Sequence, residues 1–242
     1  YEINDENIST VAENNDNGYI LNGKKSYVMF GDTSDYFAIL AKSEDGFKFI
    51  MVDKDNPGVT ISETTSLDQT RPMAEIILEN VEVGNENFMF DIQEDIWNKV
   101  KHISISFLAM EQVGGAQACL DMSTQYAKER IQFGRPIGSF QAIQHMCADM
   151  LLQIESAKSI AYSSVRVDSD DIVELEMSSS MAKAYCSDVF NKVSGDNIQV
   201  HGGIGFTWEH PAHLYFKKAK SDSLIFGTAK SARNDVSRLL SL

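Results

Sequence analysis

The sequence predicts a mixed α+β protein of two domains, a small antiparallel β-barrel or sandwich over residues 1–95 and an antiparallel four-helix bundle over residues 96–242. The first observation is a series of short apolar runs between residues 8 and about 90, separated by turns rich in Asn, Asp, Gly and Pro. The second is a change near residues 91–97 to apolar residues at helical spacing. With 242 residues, the chain is long enough for two small domains.

The strands of the first domain are predicted from its apolar runs. The runs span residues 11–13, 19–21, 27–30, 36–41, 47–52, 58–61 and 74–78. Turns are predicted between them at residues 14–18, 53–57 and 68–72. We also expect a hairpin turn at Asn22-Gly23, because both central residues of a type I′ turn need positive φ.

The helices of the second domain are predicted from four apolar stripes. The first stripe comprises Val100, Ile103, Phe107, Met110 and Val113. The second runs from Ile143 through Met150 and Ile154 to Ala161, and the third comprises Met181, Tyr185, Val189 and Val193. The fourth comprises Ala229, Ala232, Val236 and Leu239. Four striped helices indicate a bundle.

The composition excludes several classes of function. The formal net charge of −14 repels a phosphate backbone, so no nucleic-acid partner is expected. Cys119, Cys147 and Cys186 lie far apart and predict buried thiols without a metal site. No signal peptide and no apolar stretch of about 18 residues is present, which predicts a soluble cytoplasmic protein without a membrane span, or a mitochondrial-matrix protein in a eukaryote.

Residues 126–144 are the most informative segment. A helix is predicted to end near Arg130 and to stop at Gly134, with Pro136 preventing its continuation and Ser139 capping the next helix. Arg130 could bind a phosphate through two hydrogen bonds, beside an aromatic Phe133. An arginine at a helix end could equally serve only as a partner for the helix dipole.

Two further segments carry candidate sites. Glycines at 202, 203 and 205 could let the backbone approach an anion closely, or could simply end a helix. His201 beside them could be a base or a structural residue. Thr228, after Gly227, is a natural N-cap for the last helix.

Taken together, these segments resemble the acyl-CoA dehydrogenase family. The ordered motifs are Arg-x-x-Phe-Gly with Phe-Gln-x-x-Gln behind it, then Gln-x-x-Gly-Gly-x-Gly, then Gly-Thr before a final helix. In the first half, residues 18–28 are similar to the run into the family's flavin-facing strand, and residues 56–59 resemble a turn of its middle β domain. The resemblance covers the whole chain and matches the family's middle β domain and C-terminal bundle. The family's N-terminal helical domain has no counterpart here, and its Thr-Glu-Pro–Gly-Ser-Asp flavin-binding segment, expected at or before Tyr1, is not found.

The resemblance implies that the protein binds FAD. Arg130, Phe133 and Gln141 match residues that reach a neighbouring subunit's cofactor. Gln199, Gly202 and Gly203 match contacts to its adenosine–pyrophosphate end. Tyr27 and Val28 match the strand beside the isoalloxazine ring, and Thr228 matches the far rim of that site.

The residues of the reaction itself depart from the family pattern. The glutamate that removes the substrate's α proton corresponds to Phe226, and an alternative family position for it falls at about Ser104 and Ile105. Met29 replaces the usual Thr or Ser that hydrogen-bonds the flavin, and Lys230 replaces a usual glutamine. No catalytic residue is therefore assigned.

Three functions are consistent with this pattern. The first is an FAD-dependent acyl-CoA dehydrogenase that oxidises the α,β bond of an acyl-CoA thioester and passes electrons to an electron-transferring flavoprotein. The second is a non-catalytic FAD-binding subunit of a heteromeric dehydrogenase, and the third is a flavin-free scaffold of the same fold. The family geometry implies a homo- or hetero-oligomer. Acyl-chain length is not encoded in these motifs.

Overall fold

The computed structural model describes residues 8–91 and 94–241. The chain divides into two compact units, Tyr1–Trp97 and Asn98–Leu242, which we call the sheet unit and the helical unit. The mixed α+β prediction is confirmed.

The sheet unit contains one seven-stranded sheet. Its strands are β1 (Val11–Asn15), β2 (Gly18–Met29), β3 (Tyr36–Ser43), β4 (Gly46–Asp53), β5 (Val59–Thr64), β6 (Met73–Gly84) and β7 (Phe88–Asp91). They pair in the order β5-β6-β2-β1-β3-β4-β7, and every pair is antiparallel except β1–β3, which meet in parallel at Val11 and Lys42. Among the described strands, no backbone hydrogen bonds pair the two edge strands β5 and β7, so the sheet does not close into a barrel.

The turn predicted at residues 14–18 is confirmed, but the turn predicted at Asn22-Gly23 is wrong. Asn15 pairs with Gly18 across a tight β1–β2 turn. Asn22 and Gly23 instead lie within β2, at a register shift opposite β6. There the Asn22 side chain accepts a hydrogen bond from the backbone N–H of Asn80 at 2.8 Å, and a Cβ on Gly23 would lie 2.7 Å from Cα of Thr10. A bulge and a close backbone contact therefore explain a dipeptide that otherwise favours turns.

The core of the sheet unit is one apolar cluster. Alternate residues along the strands are buried, as expected for strands with one face toward a core. The buried members are Ala12, Leu21, Phe37, Ile39, Ala41, Ile50, Val52, Ile76, Leu78, Val81 and Val83.

The helical unit has three long helices and two short ones. They are α1 (Glu94–Glu129), α2 (Gln141–Ser164), α3 (Ile172–His201), α4 (Ala212–Asp222) and α5 (Ala229–Leu239). Two short strands, β8 (Ile131–Gln132) and β9 (Arg135–Pro136), form a hairpin between α1 and α2. The four predicted stripes fall on α1, α2, α3 and α5, and a further helix that the sequence did not predict, α4, precedes α5.

Helix α3 is the most deeply buried of the five. It packs against α2, α4 and α5, and its side chains form buried hydrogen bonds to α1. These bonds join His102 to Ser179 at 2.8 Å, Gln112 to Ser187 at 3.1 Å and Ser123 to Asn197 at 2.8 Å. Both members advance along the sequence from one pair to the next, so α1 and α3 run parallel.

The predicted stripe of α1 is only partly buried. Val113 lies in the core, but Val100 and Phe107 are exposed, as is Met181 on α3. The buried face of α1 instead follows Ile105, Ala109, Gln112 and Ala116, so most of the predicted stripe lies on another face of the same helix.

Charge is divided very unevenly between the two units. Residues 1–97 hold 20 acidic and 6 basic residues, whereas residues 98–242 hold 15 of each, so the whole formal charge of −14 lies in the sheet unit. In the described part of the chain, no helix combines the length and apolar character needed to cross a bilayer.

We predict that lowering the pH from 7.5 to 5.5 reduces the free energy of unfolding, in part through His102. Burial holds the pKa of His102 below its ordinary value of 6.5. The unfolded chain therefore binds the proton first, and stability is lost as the pH falls through about 6.5, by at most ~1.4 kcal/mol per pH unit for one group.

Urea unfolding of the wild type and of His102→Gln at several pH values measures this effect. His201 and His210 also have lowered pKa values and contribute to both proteins, so the difference between the two slopes isolates His102. Equal pH slopes would show that His102 does not contribute.

Candidate functional site

The end of α1 presents Arg130 to solvent. The backbone N–H of Arg130 donates to the carbonyl of Tyr126 at 2.8 Å, and the β8–β9 hairpin follows directly. The Arg130 side chain is exposed and has no hydrogen bond or ion pair within residues 8–91 and 94–241. The predicted end of the helix is confirmed. The cap predicted at Ser139 is wrong, because Phe140 is the N-cap of α2 and the Ser139 hydroxyl donates to the carbonyl of Pro136.

The tip of this hairpin holds Phe133 in a strained, exposed conformation. Its φ is +53° and its side chain is 92% exposed. The ring meets Phe140 edge-on at 6.1 Å, and the guanidinium of Arg135 stacks on Phe140 at 4.1 Å. Gln141 begins α2 and is exposed. Arg130, Phe133 and Gln141 thus lie in one short segment with their side chains available to a ligand.

The three glycines after α3 have three different roles. Gly202 ends the helix with φ +63° and donates its N–H to the carbonyls of Ile198 and Gln199. Gly205 is buried, and a Cβ there would lie 3.1 Å from the Ile198 carbonyl and 3.2 Å from Cβ of His201. Gly203 has neither positive φ nor any atom within 4 Å of an added Cβ. Its missing side chain is therefore not required by the described part of the chain.

His201 is the last residue of α3 and is buried. Its Nδ1 lies 2.8 Å from the carbonyl of Asn197, and burial lowers its pKa below the ordinary value. Its ring stacks on Tyr126 at 4.4 Å and on His210 at 4.2 Å. A neutral buried imidazole with this packing supports the structural interpretation of His201 rather than a role as base.

The Tyr126–His201 contact brings two predicted site segments together. Tyr126 lies one helical turn before Arg130, and His201 directly precedes Gly202 and Gly203. Gln199 is exposed on the last turn of α3. The helical unit therefore collects Arg130, Gln199 and Gly203 at one end, where α1 and α3 both terminate.

In the sheet unit, Tyr27 and Val28 lie near the end of β2. Tyr27 has φ +57° and is 71% exposed, at a register shift between Lys25 and Val28. Val28 pairs with Ala74 and packs partly against the core, and its carbonyl accepts a hydrogen bond from the N–H of Gly31 at 3.2 Å. Met29 is exposed beside them. The family's flavin-binding segment is expected at or before Tyr1, and residues 1–7 lie outside the described residues.

The segment 223–228 holds the position where the family has its glutamate. Phe226 has φ +56°, and Thr228 caps α5 by accepting a hydrogen bond from the N–H of Ser231 at 3.1 Å, as predicted. The segment begins at a helix end fixed by Lys183, whose buried Nζ donates to the carbonyl of Asp222 at 2.6 Å. The backbone around Phe226 is thus held on both sides.

The positions where the family has its base hold no carboxylate among the described residues. The Ser104 hydroxyl donates to the carbonyl of Val100 at 2.7 Å, and Ile105 is buried. Glu111 pairs with Lys218 at 2.7 Å, and Asp222 lies 3.7 Å from the same Lys218. No group of histidines, cysteines and carboxylates arranged for a metal occurs among the described residues.

Backbone strain coincides with the site positions. In the described part of the chain, six residues other than glycine have positive φ, and Tyr27, Phe133 and Phe226 are three of them. Bulky residues avoid this region at a cost of about 1–3 kcal/mol, and such strain is concentrated at functional sites. Sequence reasoning identified these three positions through the motifs, but the strain itself has no sequence signal.

Comparisons with known proteins agree with these observations. The family model "Acyl-CoA dehydrogenase, middle domain" matches residues 4–81, and "Acyl-CoA dehydrogenase, C-terminal domain" matches residues 106–241. The acyl-CoA dehydrogenase IpdE2 of Mycolicibacterium smegmatis is 40% identical over 120 residues, which cover 50% of this chain and 37% of the relative. Subunit CarC of the caffeyl-CoA reductase-Etf complex of Acetobacterium woodii is 30% identical over 242 residues, 96% of this chain and 64% of the relative.

A solved structure shows the same fold. Butyryl-CoA dehydrogenase from Megasphaera elsdenii superposes with a TM-score of 0.85 at 26% identity, over 97% of this chain and 64% of that chain. The chain therefore spans less than two thirds of each of these proteins.

We predict that the same substitution has little effect at Gly203 and destabilises the protein at Gly205. Gly203→Ala should leave the free energy of unfolding within about 0.5 kcal/mol of the wild type, because the added methyl group meets nothing. Gly205→Ala should lower it by about 1–3 kcal/mol, because the methyl group must displace the Ile198 carbonyl or His201. Chemical denaturation of both variants measures the effect, and an equal loss at both positions would contradict it.

Proposed function

Because the chain belongs to the acyl-CoA dehydrogenase family, we propose that it is an FAD-binding flavoprotein subunit of that type. The reaction it would serve is oxidation of the α,β bond of an acyl-CoA thioester. The cofactor residues we propose are Arg130, Phe133, Gln141, Gln199, Gly202, Gly203 and Thr228 in the helical unit, with Tyr27 and Val28 in the sheet unit.

The observation that carries this proposal is the strained, exposed aromatic residue at each of two motif positions. Tyr27 and Phe133 both combine positive φ with rings that are 71% and 92% exposed. Neither strain nor solvent exposure of an aromatic ring stabilises the chain by itself, so both favour a contact with a planar ligand. The family's planar ligand is FAD.

The residues of the helical unit fit the phosphate end of this cofactor. Arg130 is exposed and suited to two parallel hydrogen bonds with a phosphate. Gly203 leaves open space where any side chain would block close approach. The sheet unit, with 20 acidic residues against 6 basic ones, repels phosphates and leaves their binding to the helical unit.

When bound, FAD supplies the hydride acceptor for the α,β oxidation. The chain's own part is to hold the cofactor and to exclude water, whereas removal of the substrate's α proton needs a carboxylate base. Phe226 cannot accept a proton. We therefore propose a second, closely related function, in which this chain is the FAD-holding subunit of a heteromeric dehydrogenase and another chain supplies the base.

We propose an electron-transferring flavoprotein as the electron acceptor. Support comes from the relative CarC, which is named as a subunit of a reductase-Etf complex. A cytoplasmic location stays a prediction of the sequence.

We predict that Arg130→Ala weakens FAD binding more than it weakens folding. Loss of a charge-assisted pair with the pyrophosphate costs about 1.5–3 kcal/mol, a Kd roughly 10- to 150-fold higher. Titration of the protein with FAD, followed by visible absorbance, measures the Kd, and thermal unfolding measures stability.

Arg135→Ala on the same hairpin is the matched control, because Arg135 stacks on Phe140. An unchanged FAD Kd with a lower Tm would make Arg130 a helix-end residue only, and a wild-type protein that stays colourless would favour the flavin-free scaffold.

We predict that the FAD-loaded chain alone reduces its flavin very slowly with acyl-CoA. A general base typically contributes ~10²–10⁴ in rate, and Phe226 provides none. The measurement is anaerobic mixing with acyl-CoAs of several chain lengths, followed by bleaching of the flavin. Bleaching by the wild type alone at ordinary turnover rates would refute this prediction.

The variant Phe226→Glu tests whether only the base is missing. We expect faster bleaching than in the wild type, and Phe226→Gln is the control of the same shape without a carboxylate. Equal bleaching by both variants would show that the carboxylate is not used.

We predict that the protein forms an oligomer through the helical unit. Val100, Phe107, Leu152, Phe206 and Trp208 are apolar and exposed on this unit, which lacks net charge. Light scattering should give a mass above 27.0 kDa per particle at micromolar concentration. A stable monomer would count against this prediction.

A further inference from the structure

Residues 202–205 form a turn after α3 that we call the glycine turn, and His201 contacts this turn at both of its ends. It is the residue that precedes Gly202, where the chain leaves α3 with φ +63°. On the return, Gly205 lies against it, since a Cβ on Gly205 would come within 3.2 Å of Cβ of His201. The turn that carries Gly203 therefore packs on the last turn of α3, against His201 and Ile198.

The imidazole itself is held in one orientation and one tautomer. A backbone carbonyl only accepts hydrogen bonds, so the Nδ1 that lies 2.8 Å from the Asn197 carbonyl carries the proton. Asn197 is fixed in turn by Ser123 of α1, whose hydroxyl donates to its side-chain oxygen at 2.8 Å. Nε2 is buried and has no hydrogen-bond partner among the described residues. A phenylalanine would stack equally well without burying an unpaired nitrogen, so the Nδ1–H bond is the reason for a histidine here.

The ring also links the glycine turn to Arg130. Tyr126 stacks on His201 at 4.4 Å with 30° between the rings, and the carbonyl of Tyr126 accepts the N–H of Arg130 at 2.8 Å. His210 covers the other side at 4.2 Å, and its own Nδ1 accepts the N–H of Ala212. The separation between Arg130 and Gly203 therefore depends on a three-ring stack with His201 in the centre.

We propose that His201 is a positioning residue that sets the Gly202–Gly203 turn against Arg130, so that a single pyrophosphate contacts both. This inference rests on the proposed FAD-binding function. His201 acts through the turn and through Tyr126, and it neither touches the reacting atoms nor exchanges a proton with them.

The test uses two variants that each remove one of the two interactions. His201→Asn keeps a donor near the Nδ1 position but removes the ring, whereas His201→Phe keeps the ring but removes the donor. We expect each to raise the Kd for FAD by about tenfold, the effect of one lost interaction of this strength. His213→Asn is the matched control, because His213 is also buried and its ring meets Trp208 edge-on rather than stacking on His201. It should lower the Tm without changing the Kd.

Two readouts separate positioning from a purely structural role. The phosphorus NMR shifts of the bound pyrophosphate should change in the His201 variants and stay constant in His213→Asn. The Kd effects of His201→Asn and Arg130→Ala should also be less than additive, because both act on the same pyrophosphate. Unchanged phosphorus shifts together with additive effects would overturn the proposal.

The result with the wild type separates failure of this inference from failure of the proposed function. If the wild type does not bind FAD, the proposed function fails. If the wild type binds FAD and both His201 variants bind it equally well, only the positioning role fails. Should a His201 variant not fold, Tyr126→Leu disrupts the same stack from α1 and is expected to raise the Kd similarly. An unchanged Kd in that variant would overturn the proposal.

Discussion

The register between α1 and α3 is the constraint on which the candidate site depends. Three buried pairs, His102–Ser179, Gln112–Ser187 and Ser123–Asn197, fix these parallel helices at intervals along their length. A slide of one turn, about 5.4 Å, would break all three pairs and leave their polar atoms buried without partners. Because Arg130 follows the end of α1 and Gly202 follows the end of α3, the same slide would also separate the two halves of the proposed phosphate site. The pairs that stabilise the bundle therefore also define the geometry of its end.

Periodicity and capping signals predicted the helices better than they predicted their surfaces. The N-cap predicted at Thr228 is correct. The Thr228 hydroxyl oxygen accepts a hydrogen bond from the N–H of Ser231, three residues later, and this local bond does not depend on the rest of the chain. The exposure of Val100 and Phe107 was not predicted, because α1 carries apolar residues on more than one face and only the folded chain shows which face is buried. The same limit applies to Asn22-Gly23. Its local preference for a turn is overridden by pairing with β6 and by the close approach of Thr10.

The candidate site was also predicted in part, by residue type and order but not by the surroundings of each residue. The motifs identified Arg130, Phe133 and the glycines by residue type and order. They did not distinguish Gly203, which this chain does not need as a glycine, from Gly205, which it needs for packing. That distinction requires the positions of Ile198 and His201 around the turn. Likewise, the sequence presented His201 as a lone histidine, and only the folded chain places it between Tyr126 and His210.

The uneven distribution of charge has a consequence for how copies of this chain can meet. Two sheet units brought face to face would each carry the full formal charge of −14, whereas two helical units carry no net charge. At physiological ionic strength the repulsion extends about 8 Å, so it acts only on surfaces already close to contact. Charge of this kind does not hold an assembly together, but it eliminates arrangements that pair sheet with sheet. The acidic sheet unit therefore limits which symmetric arrangements can form. Helical units, whose formal net charge is zero, can meet without this electrostatic barrier.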